Sequence, residues 1–360
     1  MKRCLRCHMP ETRPGSIFKE GVCQACLNYD NRKKVDWEKR KAELAAICNK
    51  FRDKNKTHDC LIPVSGGKDS YFLVHTMVCE MGMHPLLITI TDSFTHTQAG
   101  VHNIRNLITA FKADHYQYTI NHDLFIRATR AAFEGAGEAL KFVESAIYTI
   151  PALFAQKFDI PLVIFGENSA YEYGSSENDS GDAGQAVSAI SAKLEQDFAF
   201  WKTAGLTEQE VRSIQIDKSK QLPTILFLNY FTPWSSTAHL EIAKRHGFKD
   251  LSGEWDREGY IENFEQIDSI GYLVHLWLKY PKFGFQRTSD IASRRVREGL
   301  LTLAQAEKLI RENDYKLDQR ALDDFANTLG YTRQQFWEIA EKFWDRNLFM
   351  KENGAWRAKE

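Results

Sequence analysis

The stretch from Leu61 to Tyr71 constrains the fold of this chain more than any other. An apolar run leads into two adjacent glycines, and a helix-favouring segment, Tyr71–Met81, follows; the turn between them reads Ser65-Gly66-Gly67-Lys68-Asp69-Ser70. Paired glycines let the backbone turn tightly and approach a ligand with no Cβ in the way. The amides that open the next helix lack a helical acceptor, so they and the helix dipole favour an anion. This order of strand, turn and helix predicts a phosphate-binding site.

The side chains of the turn narrow the kind of phosphate site. Ser65 and Ser70 supply hydroxyls. Lys68 adds a positive charge, and Asp69 adds a carboxylate suited to Mg²⁺. A Walker A loop would need a glycine where Ile62 stands and a Ser or Thr where Asp69 stands, and a Rossmann fingerprint would need a third glycine in the helix. Ser-Gly-Gly-x-Asp-Ser instead resembles the PP-loop of ATP pyrophosphatases, although a glycine-rich corner without a ligand is the alternative interpretation.

The PP-loop resemblance implies how ATP is bound and cleaved. Enzymes with this loop split ATP between its α and β phosphates, and they hold pyrophosphate in the loop while AMP is transferred to a carbonyl oxygen. By this resemblance we expect ATP and Mg²⁺ as cofactors and Asp69 and Lys68 as catalytic residues. The expected cofactor-binding residues of the loop are Ser65, Gly66, Gly67, Lys68, Asp69 and Ser70.

Strands and helices alternate along the chain after this loop begins. Short strand-like runs predict four strands: Cys60–Val64, Pro85–Ile90, Asp114–Ile120 and Pro161–Phe165. Helical patterns fall at Ala99–Lys112, Asp123–Gly135 and Lys141–Lys157. Such alternation favours a parallel sheet covered on both faces, in which ligands lie beyond the carboxyl ends of the strands.

Two other strand ends therefore carry candidate site residues. Thr91 and Asp92 follow the second strand, where PP-loop enzymes contact adenosine, although a plain polar loop is the alternative. Gly166-Glu167-Asn168 follows the fourth strand directly. We expect Glu167 to be catalytic, as a second Mg²⁺ ligand or by holding the substrate. Asn168 and the nearby Tyr171 are expected to bind substrate, and loop capping is the alternative for Glu167 and Asn168.

Four of the seven cysteines form one group near the N-terminus, with the spacing C-x₂-C-x₁₅-C-x₂-C: Cys4, Cys7, Cys23 and Cys26. This spacing suits two knuckles that close on one tetrahedral Zn²⁺. Residues 1–30 are too few to bury a core, so a cross-link must hold them. We expect structural zinc, and the alternatives are two disulfides or an iron–sulfur cluster.

The composition, net charge and short apolar runs of the chain exclude several classes of protein. Its 360 residues are 43% hydrophobic, and 47 Lys and Arg against 48 Asp and Glu give a formal charge of −1. No broad basic surface is expected, so nucleic acid is not an expected partner. Met1–Tyr29 has no signal-peptide apolar core, and apolar runs such as Leu86–Ile90 are too short to span a membrane. We expect a cytoplasmic enzyme without a membrane partner.

The remaining segments are predicted from periodicity and composition. Helices are expected at Lys33–Asn55, Ala186–Lys220, Thr237–His246 and from Thr302 onward, a strand within Leu222–Phe231, and a mobile loop at Gly174–Gly184. A basic stretch containing Arg287, Arg294, Arg295 and Arg297 suits an anion, and we expect Arg287 to bind substrate; surface arginines on a helix are the alternative. The predicted divisions are a zinc ribbon (1–32), a linking helix (33–58), a PP-loop domain (59–290) and a helical C-terminal region (291–360).

A wider resemblance is carried by segments spread over the chain. They are Cys4–Cys7 with Met9-Pro10-x-Thr12-Arg13-Pro14, Cys23 and Cys26, Ser65–Ser70, Gly166-Glu167-Asn168, Tyr230-Phe231-x-Pro233-Trp234, and Lys282-Phe283-Gly284-Phe285 with Arg287 and Asp290. In this order they resemble the N-acetyl sugar amidotransferases of bacterial surface-polysaccharide and nonulosonic acid biosynthesis. Gln286 departs from the glycine expected at its position, which puts local substrate fit in doubt. With the PP-loop, the resemblance implies an α/β fold: a parallel-sheet domain of the adenine nucleotide α-hydrolase-like (HUP) type, an N-terminal zinc ribbon and a C-terminal helical region.

The resemblance also implies a reaction. Family members convert an acetamido group on an acidic N-acetylated sugar to an acetamidine with ATP and ammonia, in lipopolysaccharide O-antigen or pseudaminic and legionaminic-type sugar biosynthesis. No glutaminase nucleophile with partner His and Glu is evident in the sequence. Ammonia is therefore expected from a separate HisH-like glutaminase, acting with a HisF-like subunit.

Two functions of other kinds compete with this one. PP-loop enzymes with zinc ribbons also modify tRNA, by thiolation or in the manner of lysidine synthase. Thiolating enzymes usually need paired catalytic cysteines, and only Cys60 and Cys79 lie in the expected domain, not in a C-x-x-C pair. A non-catalytic adenine-nucleotide sensor would not need Asp69 and would bind without releasing AMP.

Overall fold

A sheet of five parallel strands is the centre of this computed structural model, which describes residues 1–53 and 56–359. In chain order the strands are β1 (Phe18–Lys19), β2 (Val22–Cys23), β3 (Cys60–Pro63), β4 (Pro85–Thr91), β5 (Asp114–Thr119), β6 (Leu162–Phe165), β7 (Thr224–Phe227), β8 (Phe349–Glu352) and β9 (Ala355–Ala358). The central sheet has the order β5-β4-β3-β6-β7, and each neighbouring pair is parallel. The predicted α/β class is confirmed, and β7 lies within the segment where a further strand was expected.

Burial explains why the middle strands read as continuous apolar runs. Leu61 of β3 lies opposite Leu86 of β4 and Val163 of β6, and all three side chains are buried. Every residue of β6 is buried as well. Strands covered on both faces have no solvated side to carry alternating polar residues. β5 lies at the edge of the sheet and is largely exposed, which fits its mixed composition.

The helices surround this sheet and fill the C-terminal region. In chain order they are α1 (Gln24–Arg32), α2 (Trp37–Phe51), α3 (Lys68–His75), α4 (Gln98–Phe111), α5 (His122–Ala136), α6 (Lys141–Phe158), α7 (Ser169–Glu172), α8 (Gly184–Gln196), α9 (Phe198–Thr203), α10 (Glu208–Arg212), α11 (Ser236–Arg245), α12 (Tyr272–Trp277), α13 (Lys279–Phe283), α14 (Arg287–Arg297), α15 (Leu303–Asn313), α16 (Gln319–Leu329) and α17 (Arg333–Ala340). A π-helical turn, Thr76–Glu80, continues α3, and 3₁₀ turns form at Leu228–Tyr230 and Glu341–Phe343.

Two expected helical segments differ in the structure. The segment predicted to be helical, Ala186–Lys220, contains most of α8 together with α9 and α10, and its residues after Arg212 are not helical. The break between α9 and α10 falls where Gly205 takes a left-handed φ of +76° and Thr207 then caps α10. The region predicted to be helical from Thr302 onward ends in the β8–β9 hairpin. Its turn is Asn353-Gly354, both residues with positive φ, a pair that strongly favours a two-residue hairpin.

The predicted helix Lys33–Asn55 corresponds to α2, which is shorter at both ends. Lys54, Asn55 and Glu360 lie outside the described residues, so the last two positions of that prediction and the final position of the C-terminal region are not covered. The predicted boundary between residues 290 and 291 falls inside α14. Within the described ranges, no helix has both the length and the apolar character needed to cross a bilayer.

Residues 1–32 form a small N-terminal lobe that packs against the main domain. Its core consists of the four cysteines of the spaced group with Met9 and Ala25. Arg13 pairs with the buried Asp290 at the start of α14, and its guanidinium lies 4.4 Å from the Tyr173 ring centroid. Thr12 Oγ1 donates a hydrogen bond to the Phe283 carbonyl. Two of the segments that carry the family resemblance therefore contact each other, and their role here is to hold the lobe in place.

The loop predicted at Gly174–Gly184 ends one residue earlier, because Gly184 begins α8, and its backbone is hydrogen-bonded at several points. The Ile17 amide donates to the Gly174 carbonyl at 3.0 Å, and the Phe227 amide donates to the Gly181 carbonyl at 2.9 Å. Gly174 has a φ of +77°, and a Cβ there would lie 2.5 Å from the Ala25 amide nitrogen. Only glycine fits this position, because the N-terminal lobe approaches the loop backbone so closely.

Candidate active site

A cleft of about 330 Å³ lies at the carboxyl ends of β3, β4 and β6. Apolar side chains supply part of its lining, among them Val64, Ile88, Ile90, Val143 and Phe165. The polar part of the lining comes from Ser65, Asp69, Ser70, Asp92, Glu167 and Asp268. A site with both kinds of surface suits a nucleotide, because the base is flat and largely apolar whereas the phosphates bind cations and hydroxyls.

The diglycine turn beside this cleft has a shape that requires glycine at only one of its two positions. Gly66 has a left-handed φ of +79°, and a Cβ there would lie 3.0 Å from Ile104 Cγ1. Gly67 has a φ of −70°, which any residue adopts. A Cβ at Gly67 would meet Ser65 Oγ at 3.4 Å and no other described atom within 4 Å beyond its own chain neighbours. Packing therefore does not explain glycine at this position, and that face of the turn is open to a ligand.

Both serines of the turn hold its backbone in this shape. Ser70 Oγ accepts a hydrogen bond from the Ser65 amide at 3.0 Å, and Ser65 Oγ accepts one from the Gly67 amide at 3.3 Å. Gly67 is the N-terminal cap of α3, and its carbonyl accepts from the Ser70 amide at 3.0 Å. The turn is thus preorganised before any ligand binds, which lowers the cost of placing charged groups around a phosphate.

Asp69 faces the cleft with both carboxylate oxygens supported from behind. Lys68 Nζ lies 2.8 Å from Oδ2, and His239 Nδ1 lies 2.6 Å from Oδ1. The Asp69 side chain is 46% exposed, whereas those of Lys68 and His239 are almost fully buried. Desolvation by the surrounding walls of the cleft would raise the pKa of Asp69, but Lys68 and His239 outweigh it and hold the pKa below its ordinary value. Asp69 is therefore an ionised carboxylate presented to the cleft.

Lys68 also belongs to a second, larger charge cluster that sequence reasoning missed. Its centre is Glu265, buried in the segment that precedes α12, and Lys68 Nζ lies 3.1 Å from Glu265 Oε1. Arg287 and Arg294 of α14 both pair with the same carboxylate, and Ser236 Oγ donates to it at 2.8 Å. Burial would raise the pKa of Glu265, but Lys68, Arg294 and Arg287 hold it well below its ordinary value. Three cations are thus gathered beside the turn around one buried carboxylate.

Three other carboxyl groups that line the cleft have pKa values above their ordinary values. Burial, with repulsion from Glu172 and Asp69, raises the pKa of Glu167 to about 7. Burial and the nearby Asp92 raise the pKa of Asp268 to about 6. Burial also raises the pKa of Asp92, whose Oδ1 accepts a hydrogen bond from the Phe94 amide at 3.0 Å. A cation entering the cleft would favour the ionised forms of these groups.

The other residues predicted for this site lie in different places. Arg287 lines a second cavity of about 210 Å³, which shares Ser65 and Asp69 with the main cleft and is also lined by Gly67. Thr91 ends β4 but does not line the main cleft. Asn168 caps α7 by accepting a hydrogen bond from the Tyr171 amide at 3.4 Å. Tyr171 is buried and donates its hydroxyl hydrogen to the Asn28 carbonyl of the N-terminal lobe, so neither residue lines the main cleft.

Four residues of the site escaped sequence reasoning for lack of a local signal: Glu265, Asp268, His239 and Tyr272. Glu265 and Asp268 lie in the long segment between α11 and α12, which has no helix or strand. His239 lies inside α11, where a lone histidine reads as an ordinary core residue. Trp234, which belongs to a resemblance segment, lines the cleft and packs edge-on against the His239 ring at 4.4 Å between centroids.

The four spaced cysteines form a site of their own. Their sulfur atoms lie within 4.8 Å of one another, with Cys4 Sγ 3.9 Å from Cys26 Sγ and Cys7 Sγ 3.5 Å from Cys23 Sγ. Tetrahedral zinc with Zn–S bonds near 2.3 Å would place its sulfurs about 3.8 Å apart. All four are free thiols and buried, so the alternative of two disulfides is not what this structure contains. The donor set fits one tetrahedral metal ion.

Gln286, the departure from the family pattern, has a structural role in this chain. Its backbone is extended, with φ of −138° and ψ of −154°, so glycine is not required. Its buried side chain donates hydrogen bonds to the Asn313 and Lys316 carbonyls at 3.3 and 2.8 Å. The glutamine thus fixes the start of α14 against the end of α15 and does not enter the cleft.

The fold and the site together define an α/β protein with a PP-loop-like turn at the carboxyl edge of a parallel sheet, an N-terminal cysteine site and a helical C-terminal region. Residues 258–360 match the model of a family described as LPS biosynthesis protein WbpG-like, C-terminal domain. The resemblance to a bacterial surface-polysaccharide family is thereby confirmed over this part of the chain. A comparison with curated proteins found no match.

Several solved structures are similar at low identity. NMN synthetase from Francisella tularensis is 11% identical, covers 82% of this chain and 94% of its own, and has a TM-score of 0.33. The U34-tRNA thiolase NcsA from Methanococcus maripaludis, solved with its 4Fe-4S cluster, is 10% identical over 86% of this chain and 89% of its own, with a TM-score of 0.33. The NH3-dependent NAD synthetase from Campylobacter jejuni is 13% identical over 63% of this chain and 100% of its own, with a TM-score of 0.31.

Proposed function

We propose that this protein is an ATP-dependent, AMP-forming amidotransferase of bacterial surface-polysaccharide biosynthesis. Its substrate is the acetamido group of an acidic N-acetylated sugar, and its product is the corresponding acetamidine. The observation that carries the proposal is the placement of Ser65, Asp69 and the open face of Gly67 around one cavity, which shares Ser65 and Asp69 with the main cleft. The match of residues 258–360 to an LPS biosynthesis family supports the proposal that the substrate is a sugar.

The reaction balances in two steps. The acetamido oxygen attacks the α-phosphorus of ATP, the bond to the bridging oxygen breaks, and pyrophosphate leaves. Ammonia then attacks the imidate carbon and loses a proton, and AMP departs with the former amide oxygen. The net change replaces O by NH at the cost of one ATP. An unactivated amide is a poor electrophile, which is why adenylation must come first.

The residues of the chain have distinct roles in this scheme. The turn at Gly66 and Gly67 and the first amides of α3 receive the pyrophosphate portion of ATP. Asp69 would hold Mg²⁺, with Glu167 and Asp92 within the same cleft, and the ion would neutralise phosphate charge. These carboxylates do not form a closed cage: among the described residues, only the cysteines place three or more ligand atoms within 4.8 Å. An open set suits Mg²⁺, which keeps waters and phosphate oxygens as ligands.

The acidic group of the sugar is assigned to the cationic side of the site. Arg287 lines one cavity beside the turn and Arg294 lines another, and Lys68 lines both. Arginine binds a carboxylate through two parallel hydrogen bonds, so it also fixes the orientation of the sugar. Ammonia is proposed to come from a separate glutaminase of the HisH-like kind with its HisF-like subunit, and the cysteine site is proposed to hold a structural Zn²⁺ in a cytoplasmic protein.

Modification of tRNA is the weaker alternative. Thiolation of that kind relies on cysteines at the nucleotide site, yet no cysteine lines the described cavities around the turn. Cys60 begins β3, at the opposite end of the strand, and Cys79 is exposed on the π-helical turn.

The proposal is tested by supplying ATP, Mg²⁺, ammonia and a panel of diacetamido uronic and nonulosonic acids. We expect AMP to form together with a sugar product in which NH replaces O, detected by mass spectrometry. Asp69→Asn and Ser65→Ala should abolish AMP release while circular dichroism and the melting temperature show a folded protein. The matched control is Asp114→Asn, an exposed aspartate that begins β5 at the far edge of the same sheet, which should keep full activity. Formation of ADP, or full activity in both site variants, would contradict the proposal.

A further inference from the structure

We infer that His239 is a positioning residue that holds Asp69 in the orientation needed to receive Mg²⁺ with the nucleotide. The inference rests on the proposed function for the identity of the ligand. Its own evidence is the contact between His239 Nδ1 and Asp69 Oδ1, at 2.6 Å. The His239 side chain is 1% exposed, so it cannot touch a ligand and can act only through Asp69.

The environment of His239 fixes its ring in one plane. The ring stacks on Phe72 of α3 with centroids 3.8 Å apart and an angle of 14° between planes. Trp234 packs edge-on against it, at 82°. A ring held between two aromatic side chains cannot turn about its χ2 angle without losing both contacts. The direction of the Nδ1 contact is therefore set by packing, in advance of any ligand.

The second ring nitrogen of His239 settles which nitrogen carries the hydrogen. The Ser235 amide lies 3.4 Å from Nε2 and can only donate, so Nε2 is an acceptor. A neutral ring that accepts at Nε2 carries its hydrogen at Nδ1, and Nδ1–H donates to the Asp69 carboxylate. This is the arrangement by which a buried donor orients a metal-binding carboxylate from behind.

The position of Asp69 shows why such support is needed. Its side chain is 46% exposed at the mouth of the cleft, and Lys68 holds only Oδ2. Lys68 Nζ is shared with Glu265 at 3.1 Å, so a rearrangement around Glu265 would release that contact. His239 belongs to α11, which packs along α3, and its contact to Oδ1 does not pass through the Glu265 carboxylate. His239 is thus the fixed support of Asp69.

A set of substitutions separates this role from simple filling of the core. His239→Asn places an amide donor close to the position of Nδ1, because both atoms follow Cγ directly. His239→Gln places its amide near the position of Nε2 instead, and His239→Leu removes the donor while keeping an apolar side chain. The matched control is His246→Asn, because His246 caps the same helix but contacts His75 and Phe111 away from the cleft.

The readout is binding of α,β-methylene-ATP by calorimetry, with Mg²⁺ and with EDTA, so that no turnover is needed. We expect His239→Asn to bind within about threefold of the parent protein, whereas His239→Gln and His239→Leu lose about tenfold or more, the size of one charge-assisted hydrogen bond. The loss should appear with Mg²⁺ and vanish in EDTA, which a merely structural role would not produce.

A second measurement covers the case in which a variant fails to fold. Nitrogen-15 NMR of the parent protein without ligand should show the neutral His239 ring with its hydrogen at Nδ1. A hydrogen at Nε2 overturns the inference, as does equal Mg²⁺-dependent binding by the Asn, Gln and Leu variants. If the parent protein does not bind the analogue with Mg²⁺, the proposed function itself fails, and the inference fails with it.

Discussion

Replacing Glu265 by Gln is the most direct test of whether this cleft is built to receive an anion. The Glu265 side chain is 4% exposed and pairs with Lys68, Arg287 and Arg294. At the Lys68 Nζ–Oε1 distance of 3.1 Å, Coulomb's law with an effective dielectric constant near 20 gives about 5 kcal/mol for that pair. Removing one partner of a buried ion pair costs about 3–5 kcal/mol because the remaining charge is unpaired. We therefore expect Glu265→Gln to lower the free energy of unfolding by about 3–5 kcal/mol.

Pyrophosphate should restore much of this loss, because it brings negative charge to the cations that Glu265 has left. A ligand at one hundred times its dissociation constant stabilises the folded state by about 2.7 kcal/mol. The assay is urea denaturation of the parent and Glu265→Gln proteins, each with and without inorganic pyrophosphate. We expect pyrophosphate to stabilise the variant more than it stabilises the parent protein, since the parent already carries a carboxylate among these cations.

The matched control is Glu262→Gln, three residues earlier in the same segment. Neither carboxylate oxygen of Glu262 has a hydrogen-bond partner in the described part of the chain, and burial with repulsion from Glu265 raises its pKa to about 7. An amide in its place should change stability little, with or without pyrophosphate. The reasoning is refuted if Glu265→Gln is as stable as the parent protein, or if pyrophosphate stabilises both proteins equally.

Two further predictions concern pH and metal. The pKa of Glu167 rises from 4.5 to about 7 on folding, so its contribution to stability is fully present below pH 4.5 and is lost as the pH rises to 7. Urea denaturation of Glu167→Gln and the parent protein should show the variant gaining relative stability across that interval, and a constant difference would disprove the assignment. Elemental analysis should find a single Zn²⁺ per chain, and Cys26→Ala should lose the metal and the hydrogen-exchange protection of residues 1–32, because the cysteines are most of that lobe's core. Cys79→Ala, at an exposed thiol, is the control and should keep both; unchanged protection in Cys26→Ala would exclude a structural role for the metal.

How much the sequence could predict follows from how local each signal is. The glycine turn, the apolar strands and the cysteine spacing each lie within a short stretch of chain, so their patterns are visible without a fold. The signal for the C-terminal hairpin is equally local, because the Asn353-Gly354 pair alone could have predicted its turn. Glu265 has no such local pattern. Its place in the site depends on ion pairs with Lys68 and Arg287, which form only after the segment before α12 folds over the turn.

The strand ends explain why some predicted site residues reach the cleft and others do not. Asp69 follows β3 after the glycine turn, and Glu167 lies two residues after β6. These strands are neighbours at the centre of the sheet, and their parallel arrangement brings both side chains to one cleft. Asn168 is the next residue after Glu167, but its side chain accepts a hydrogen bond from the Tyr171 amide and caps α7. It therefore does not line the cleft. A short polar side chain at a helix start has a local hydrogen bond available, and that bond decides its direction.

One helix explains how a cysteine site and a nucleotide-type cleft come to share a chain. Arg287 opens α14 and Arg294 lies two turns later, and both pair with Glu265 beside the turn. Arg297 Nη1, in the last turn of the same helix, lies 3.6 Å from Cys7 Sγ, and Asp290 in the first turn pairs with Arg13 of the N-terminal lobe. An α-helix of this length is stiff, so the positions of these side chains are set together. The lobe that carries the cysteines therefore helps to place the cations beside the turn, which is a physical reason for the two features to occur in one protein.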